Sequence, residues 1–178
     1  LAAELFRVER YVELVLSYLR LGGDATDYVI RQTDLDPILR QAARKYAPLF
    51  IRGRVSLDMQ ETGLRALTDE KWLQLVVEQV LSNAVKYAPG GHVKIWGAAD
   101  HLFIEDDGVG IAPEDLPRIF DRGFTGCNGR MDKRATGIGL YLCRQICRRL
   151  GHTIGVDSEL GRGTRVTIGL ARPYLEVE

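Results

Sequence analysis

Residues 78–87 read EQVLSNAVKY and lie near the end of a long amphipathic segment. Gln79 and Asn83 are four residues apart, so on a helix they share one face, with Lys86 and Tyr87 a turn further along. An amide oxygen can ligate Mg²⁺, and a lysine can bind a phosphate. An exposed polar face ending in a lysine is the simpler interpretation of the same residues.

A second polar group, DDGVG at residues 106–110, directly follows a strand that ends at Glu105. Glycines here let the backbone approach a ligand closely, and the Asp106 carboxylate can accept a hydrogen bond from an exocyclic amine such as that of adenine. A turn rich in Asp and Gly is the alternative. The group lacks the GxGxxG spacing of a dinucleotide-binding fingerprint.

A third group, GIGL at residues 137–140, opens a predicted helix. The free N–H groups and the positive end of a helix dipole bind phosphate well, although a flexible helix start has the same composition. The preceding loop, residues 123–135, is basic and glycine-bearing, which is typical of a lid over an anion or of an ordinary solvated loop. A last group, GRGT at residues 161–164, is by itself only a hairpin turn.

The rest of the chain predicts an α+β protein. Predicted helices cover residues 5–21, 36–46, 68–87 and 138–150, with a short one near 113–120; predicted strands cover 50–57, 92–96, 102–105, 153–158 and 164–170, and 28–30 is a strand or linker. Asp36 and Thr68 are the expected N-caps of two of these helices. Helices and hairpin strands come in blocks, which favours helices on one face of a mostly antiparallel sheet.

The first predicted helix carries one apolar stripe, so we expect it to need a partner. The stripe consists of Leu5, Val8, Val12, Val15, Leu16 and Leu19.

Composition excludes several classes of protein. The 178 residues contain 24 basic and 24 acidic side chains, so no net charge attracts nucleic acid, and 46% hydrophobic residues exclude a disordered tail. Three cysteines (Cys127, Cys143, Cys147) and three histidines (His92, His101, His152) show no metal-ligand spacing, which favours a reducing compartment. No segment is apolar enough to span a membrane. The chain begins without Met, and we expect it to belong to a longer protein that holds any membrane anchor.

Taken in order, these groups resemble the N, G1, F, G2 and G3 boxes of the ATP-binding domain of sensor histidine kinases. The boxes correspond to residues 79–87, 106–110, 120–124, 137–140 and 161–164. The resemblance implies the Bergerat ATP-binding fold: a two-layer sandwich of a mixed, mostly antiparallel sheet with three main helices on one face, preceded by one long helix. Residues 31–178 would form this domain. Residues 1–30 would be the second helix of the dimerisation and histidine-phosphotransfer hairpin with its linker.

The resemblance also implies cofactors, partners and a location: ATP and Mg²⁺, a response regulator receiver domain, a homodimer through the first helix, and the cytoplasmic side of a bacterial membrane protein. Residues between Glu9 and Ile51 further resemble the bacitracin-sensing subgroup of Gram-positive bacteria. These residues are Glu9, Tyr18, Asp27, Tyr28, Asp34, Leu35, Asp36, Lys45, Tyr46, Phe50 and Ile51.

Carried over position by position, the resemblance assigns roles to individual residues. Asn83 would ligate Mg²⁺, with Gln79 standing where the family has Asn. Asp106 would read the adenine amino group with Thr164 nearby through water, and Lys86 and Tyr87 would contact the phosphate and ribose side. The remaining expected contacts are Gly108 and Gly110 shaping the pocket, Gly137, Ile138, Gly139 and Leu140 at the phosphates, Phe120 and Phe124 anchoring the lid, and Arg122 or Arg130 reaching the γ-phosphate.

The leading hypothesis is therefore a protein-histidine kinase that transfers the γ-phosphoryl group of ATP to a histidine outside this sequence. No histidine lies in the first 91 residues, so the chain is not expected to phosphorylate itself. The alternatives are a hydrolytic ATPase or a nucleotide-dependent scaffold of the same fold. Hydrolytic relatives carry a water-activating Glu four residues before the metal Asn. Here that position is Gln79, and Glu78 lies roughly 140° around the helix from Asn83.

Overall fold

A computed structural model of the chain describes residues 2–21, 28–126 and 137–171. Its helices are α1 (Ala2–Leu21), α2 (Leu35–Gly53), α3 (Glu70–Tyr87) and α4 (Gly139–Leu150), with a single 3₁₀ turn at Leu116–Arg118. Its strands are β1 (Arg31–Asp34), β2 (Ser56–Met59), β3 (Arg65–Thr68), β4 (His92–Ala98), β5 (His101–Asp106), β6 (Thr153–Glu159) and β7 (Gly163–Gly169). None of these helices is both long and apolar enough to cross a membrane.

Five strands form the main sheet in the order β2-β4-β5-β7-β6, in which β2 runs parallel to β4 and the other neighbours are antiparallel. Side chains alternate between the two faces of a strand, so one apolar face packs under the helices. That face includes Val93, Ile95, Leu102, Ile104 and Ile168, all almost fully buried. The α+β class and the mixed, mostly antiparallel sheet predicted from the sequence are confirmed.

Helix α2 differs from the prediction at both ends. It begins at Leu35 with Asp34 in the N-cap position, and it continues through Pro48 to Gly53. Asp36 is therefore in the first turn and is not the cap; its carboxylate accepts hydrogen bonds from the loop at Thr62 and Gly63. Phe50, predicted in a strand, is helical because its ring and that of Tyr46, one turn earlier, are both buried in the core.

The predicted cap of α3 is also displaced by one residue. Asp69, not Thr68, is the N-cap, and its Oδ1 accepts from the Trp72 N–H at 3.1 Å while Oδ2 accepts from the Val29 N–H at 2.7 Å. Thr68 instead ends the short strand β3, which was not predicted, and its hydroxyl lies 2.9 Å from Nε2 of buried His152. One carboxylate thus caps α3 and fastens the segment that precedes β1.

The face of α1 that packs on the rest of the protein is not the face that carries its apolar stripe. Leu14 and Phe6 pack on the core, and Phe6 makes an edge contact with Tyr46 at 5.6 Å between ring centroids. Five members of the stripe are exposed instead: Leu5 (63%), Val8 (60%), Val12 (48%), Leu16 (45%) and Leu19 (62%). Among the described residues, the stripe therefore remains at the surface.

Polar contacts add to this docking of α1. The Glu78 carboxylate on α3 is almost fully buried and accepts from Arg10 Nη1 at 2.7 Å and from Lys45 Nζ at 3.0 Å. Gln74 donates to its other oxygen at 2.9 Å. One buried carboxylate thus joins α1, α2 and α3.

We expect Glu78→Ala to lower the free energy of unfolding by about 3 kcal/mol, because it leaves Arg10 and Lys45 with only the more exposed Glu13 as counter-charge. Glu70→Ala is the matched control on the same helix. Glu70 pairs with Arg31 at the surface, so its loss should cost less than about 1 kcal/mol. Urea unfolding of both variants measures this, and equal costs would contradict the assigned role of Glu78.

Candidate functional site

A cleft between α3, the segment after β5 and the start of α4 is part of a cavity of about 1220 Å³ that residues of α1 and α2 also line. Most of the residues singled out from the sequence line it: Gln79, Asn83, Lys86, Tyr87, Asp106, Gly110, Phe124, Gly137, Gly139, Leu140 and Thr164. They come from α3, β5, α4, β7 and two loops, and the fold brings them together. Asn83 is half-buried on the cleft side of α3, while Lys86 is exposed with its ammonium 5.0 Å from the Tyr87 ring centroid.

Asp106 is the buried acid of this cleft. It is the last residue of β5 and only 8% exposed, and its Oδ1 accepts from the Gly108 N–H at 2.9 Å. Burial raises the pKa of Asp106 to about 6, and the neighbouring Asp107 adds to the rise, against the hydrogen bonds from Gly108 and Thr164. A carboxylate desolvated at a cleft wall is a strong acceptor for a ligand donor.

Two glycines allow the loop after Asp106 to pass between neighbouring backbones. A Cβ on Gly108 would lie 2.3 Å from the Tyr87 carbonyl oxygen. Gly110 has φ +71°, and a Cβ there would lie 2.1 Å from the Glu159 carbonyl oxygen. The Val109 N–H donates to the same Tyr87 carbonyl at 3.0 Å, which holds this loop against the end of α3.

The start of α4 forms the opposite wall. Its N-cap residue, Ile138, makes no side-chain capping hydrogen bond, so the first turn keeps the electrostatic character of a helix N-terminus. A Cβ on Gly139 would lie 2.4 Å from Gln79 Nε2, so the Gln79 amide packs directly on this turn. Gly137, with φ +64°, accepts from the Gly123 N–H at 3.0 Å, which closes the base of the intervening loop.

The predicted lid lies only partly within the described residues. Phe124 is half-buried, and the Arg118 guanidinium lies 4.6 Å from its ring centroid. The Arg144 guanidinium lies 5.6 Å from the ring centroid of Phe120. Arg122 is exposed and is not among the residues that line the cleft, whereas Arg130 and most of residues 123–135 lie outside the described residues.

Several site residues were not foreseen from the sequence. Ile111, Ala112, Asp115 and Ile119 follow the DDGVG group and line the cleft. Because they follow that group closely in the sequence, their position could have indicated that they line the same site. Ser158 had no such signal, because it contacts this segment from 47 residues away: the Ile111 N–H donates to its Oγ at 2.8 Å.

The other reactive side chains stay outside the site. Cys143 and Cys147 are buried in α4, where burial raises the pKa of Cys147 to about 12 and that of Cys143 well above its usual value. Both thiols are therefore protonated and unreactive at neutral pH. No group of metal-ligating His, Cys, Asp and Glu side chains occurs in the part of the chain that the structure describes.

The cleft and the five-stranded sheet agree with one family of proteins. A family model described as "Histidine kinase-, DNA gyrase B-, and HSP90-like ATPase" matches residues 68–173. The match covers more than half of the chain, and the chain belongs to this family.

The more particular relatives are sensor proteins. The chain is 33% identical to Sensor protein BceS of Bacillus subtilis over 94% of its own length and 52% of that protein. It is 35% identical to Sensor histidine kinase YxdK of the same organism over 92% of its length and 52% of that protein. The chain thus spans about half the length of these curated relatives. Their matches run through both α1 and the domain, and they confirm the recognition of a sensor histidine kinase, including the narrower subgroup resemblance.

Solved structures agree with the fold. Full-length ShkA in complex with AMPPNP has a TM-score of 0.75 and is 26% identical, over 96% of this chain and 37% of that one. The mycobacterial sensor histidine kinase MprB has a TM-score of 0.69 and is 25% identical, over 82% of this chain and 100% of that one.

The buried state of Asp106 gives a prediction about stability. Its pKa of about 6 exceeds its unfolded value, so the folded protein binds this proton more tightly than the unfolded chain. The stabilisation is present at low pH and is lost as pH rises through about 6. At about pH 7.5 we expect Asp106→Asn to be more stable than the wild type by about 2 kcal/mol, measured by urea unfolding.

Asp107→Asn is the matched control and should move in the opposite direction. Hydrogen bonds from the His92 backbone and ring hold the pKa of Asp107 below its usual value, so its charge stabilises the fold above the unfolded pKa. A loss of stability in Asp106→Asn at neutral pH would contradict the assigned burial of this carboxylate.

Proposed function

We propose that the chain is the ATP-binding catalytic part of a sensor histidine kinase. It binds Mg²⁺-ATP in the cleft and directs the γ-phosphoryl group to a histidine on a hairpin helix outside this sequence, for onward transfer to a response regulator. The observation that carries the proposal is the buried Asp106 carboxylate at the wall of a cleft whose other side is a helix N-terminus. One end thus suits a base with an amino group, and the other suits phosphates.

The cleft residues divide into three groups under this proposal. Asp106 and Thr164 face the adenine, with Gly108 and Gly110 shaping the pocket. Asn83, Lys86 and Tyr87 on α3 lie toward the ribose and phosphates, and the Gly137–Leu140 turn holds the phosphates through backbone N–H groups. Phe120 and Phe124 anchor the lid, from which Arg122 or Arg130 reaches the γ-phosphate.

The donor set fits a magnesium ion bound together with the nucleotide. Mg²⁺ keeps several waters and takes few protein ligands besides substrate phosphates, and the half-buried Asn83 amide on the cleft side of α3 is such a ligand. Gln79 packs on Gly139 and would support it from the same helix face. The ion would neutralise charge that develops on the transferring phosphoryl group. The protein's own contribution is to position the nucleotide and to exclude water.

Hydrolysis is not favoured as the alternative. Gln79 stands where a water-activating Glu is needed, and an amide cannot take up a proton from water. The neighbouring Glu78 is held by Arg10 and Lys45 and is not available as a base.

Titration calorimetry of Mg²⁺-ATP into the chain tests the nucleotide site. We expect Asp106→Asn to weaken binding at least about ten-fold, because a charged acceptor for the amino group is lost. Wild-type affinity should fall more steeply than that of the variant as pH drops below about 6, since only the wild type has a carboxylate at this position to protonate. Undiminished binding by folded Asp106→Asn would refute this placement of the base. If ATP binds, adding a histidine-bearing hairpin segment tests phosphoryl transfer.

Residues 1–30 would be the second helix of the dimerisation hairpin and its linker, residues 31–178 the catalytic domain, and the full protein a membrane-attached homodimer with this part in the cytoplasm. The exposed stripe of α1 supports this assignment, since its spacing of three and four residues suits a helical bundle.

In a protein that carries both hairpin helices, we expect Leu16→Glu to convert the dimer to a monomer. Burying a charge in a bundle seam costs more than the seam gains. Ile51→Glu is the control, since Ile51 is 77% exposed on α2 and lies outside the stripe. Sedimentation velocity distinguishes the states, and a dimer that persists in Leu16→Glu would contradict the assignment.

A further inference from the structure

Ser158 on β6 joins three segments that surround the buried end of the cleft. The Ile111 N–H donates to its Oγ at 2.8 Å, its hydroxyl donates to the Gly163 carbonyl at 2.8 Å, and its Oγ lies 2.9 Å from the Thr164 hydroxyl. Ser158, Thr164 and Asp106 are consecutive partners in one row across β6, β7 and β5. Thr164 and Asp106 line the cleft, whereas Ser158 contacts it only through Thr164 and Ile111.

Counting protons fixes the direction of the hydrogen bond between the two hydroxyls. A serine hydroxyl has one proton and two acceptor lone pairs. The Gly163 carbonyl can only accept, so the Ser158 proton goes there. The Ile111 N–H occupies one lone pair, and the remaining one can only accept from Thr164. The Thr164 proton is therefore committed to Ser158, and Thr164 presents only lone pairs to the cleft.

We propose that Ser158 is a positioning residue for base selection, which makes Thr164 an acceptor only and so favours a purine with a 6-amino group over one with a 6-keto oxygen. This inference rests on the proposed nucleotide site and names a determinant of its base specificity.

The physical reason lies in the pairing of Thr164 with Asp106 across β7 and β5. The Asp106 carboxylate and the Thr164 hydroxyl, which can only accept, are neighbours at the end of the cleft proposed to bind the nucleotide base. An amino group donates hydrogen bonds and suits this wall, whereas a keto oxygen would meet acceptors without a proton between them. A Thr164 hydroxyl that was free to rotate would supply that proton and relax the discrimination.

Ser158→Ala has two effects that can be separated. Loss of the bond from Ile111 loosens the loop after Asp106 and lowers the affinity for every nucleotide alike. Release of the Thr164 proton changes only the ratio of affinities for 6-keto and 6-amino nucleotides. That ratio is the readout that a purely structural role would not move.

The test is a double-mutant cycle. Dissociation constants for Mg²⁺-ATP and Mg²⁺-ITP are measured by calorimetry for the wild type, Ser158→Ala, Thr164→Val and the double variant. We expect the ratio of the ITP to the ATP constant to fall about five-fold in Ser158→Ala, the factor that corresponds to one net hydrogen bond. In the Thr164→Val background, which has no hydroxyl to release, Ser158→Ala should leave the ratio unchanged.

Conservative variants keep the test decisive. Ser158→Thr retains the hydroxyl on a strand position and should restore the wild-type ratio. If Ser158→Ala does not fold, Ser158→Cys replaces it, because a thiol is a weak acceptor and should shift the ratio in the same direction.

Each outcome has one meaning. An unchanged ratio in folded Ser158→Ala, or an equal change in both backgrounds, overturns the role of Ser158 while leaving the nucleotide site intact. Absence of ATP binding by the folded wild type would overturn the proposed function itself.

Discussion

The register of three adjacent strands determines the site. Pairing of β5 with β7 and of β7 with β6 sets Asp106, Thr164 and Ser158 in one row at the end of the sheet. A slip of one residue in either ladder would turn these side chains to the opposite face. The apolar residues along the same strands prevent such a slip, since Ile104, Val166 and Ile168 must stay under the helices. The hydrophobic pattern that makes the core therefore also aligns the polar groups at its edge.

A buried carboxylate is an expensive group to keep, and its surroundings show how it is tolerated. Asp106 accepts one backbone hydrogen bond from Gly108 in the loop that follows it and another from Thr164 on β7, which limits the rise of its pKa to about 6, so most of it is ionised at neutral pH. That loop is held in turn by the end of α3, through Tyr87, and by Ser158. Desolvating the acid lowers the stability of the fold, but it leaves a preorganised hydrogen-bond acceptor in the cleft. Such an arrangement is common at functional sites.

Helix α3 serves two sides of the molecule at once. Its face with Gln79 and Asn83 looks into the cleft, and the adjacent Glu78 is joined to α1 and α2 by Arg10 and Lys45. The position of α1 is thus linked to the helix that carries the expected metal ligand. The apolar stripe of α1 stays exposed while this ionic link holds the helix to the rest of the protein.

Local chemistry was enough to determine much of this protein from the sequence alone. The helices around Asn83 and Leu142, the hairpins and the order of the glycine-bearing groups follow from periodicity, turn residues and spacing, and with the resemblance they indicated the family and the fold. Helix ends were less accessible: the predicted caps at Asp36 and Thr68 lie one or two residues from the observed caps at Asp34 and Asp69, and the burial of Phe50 extends α2 past its predicted end. Only the tertiary structure decided the rest. That Glu78 bridges three helices, that α1 docks through Leu14 rather than its stripe, and that Ser158 orients Thr164 depend on pairings between residues far apart in the chain. Such pairings leave no periodic signal, because they arise from the packing of whole elements and not from the preferences of neighbouring residues.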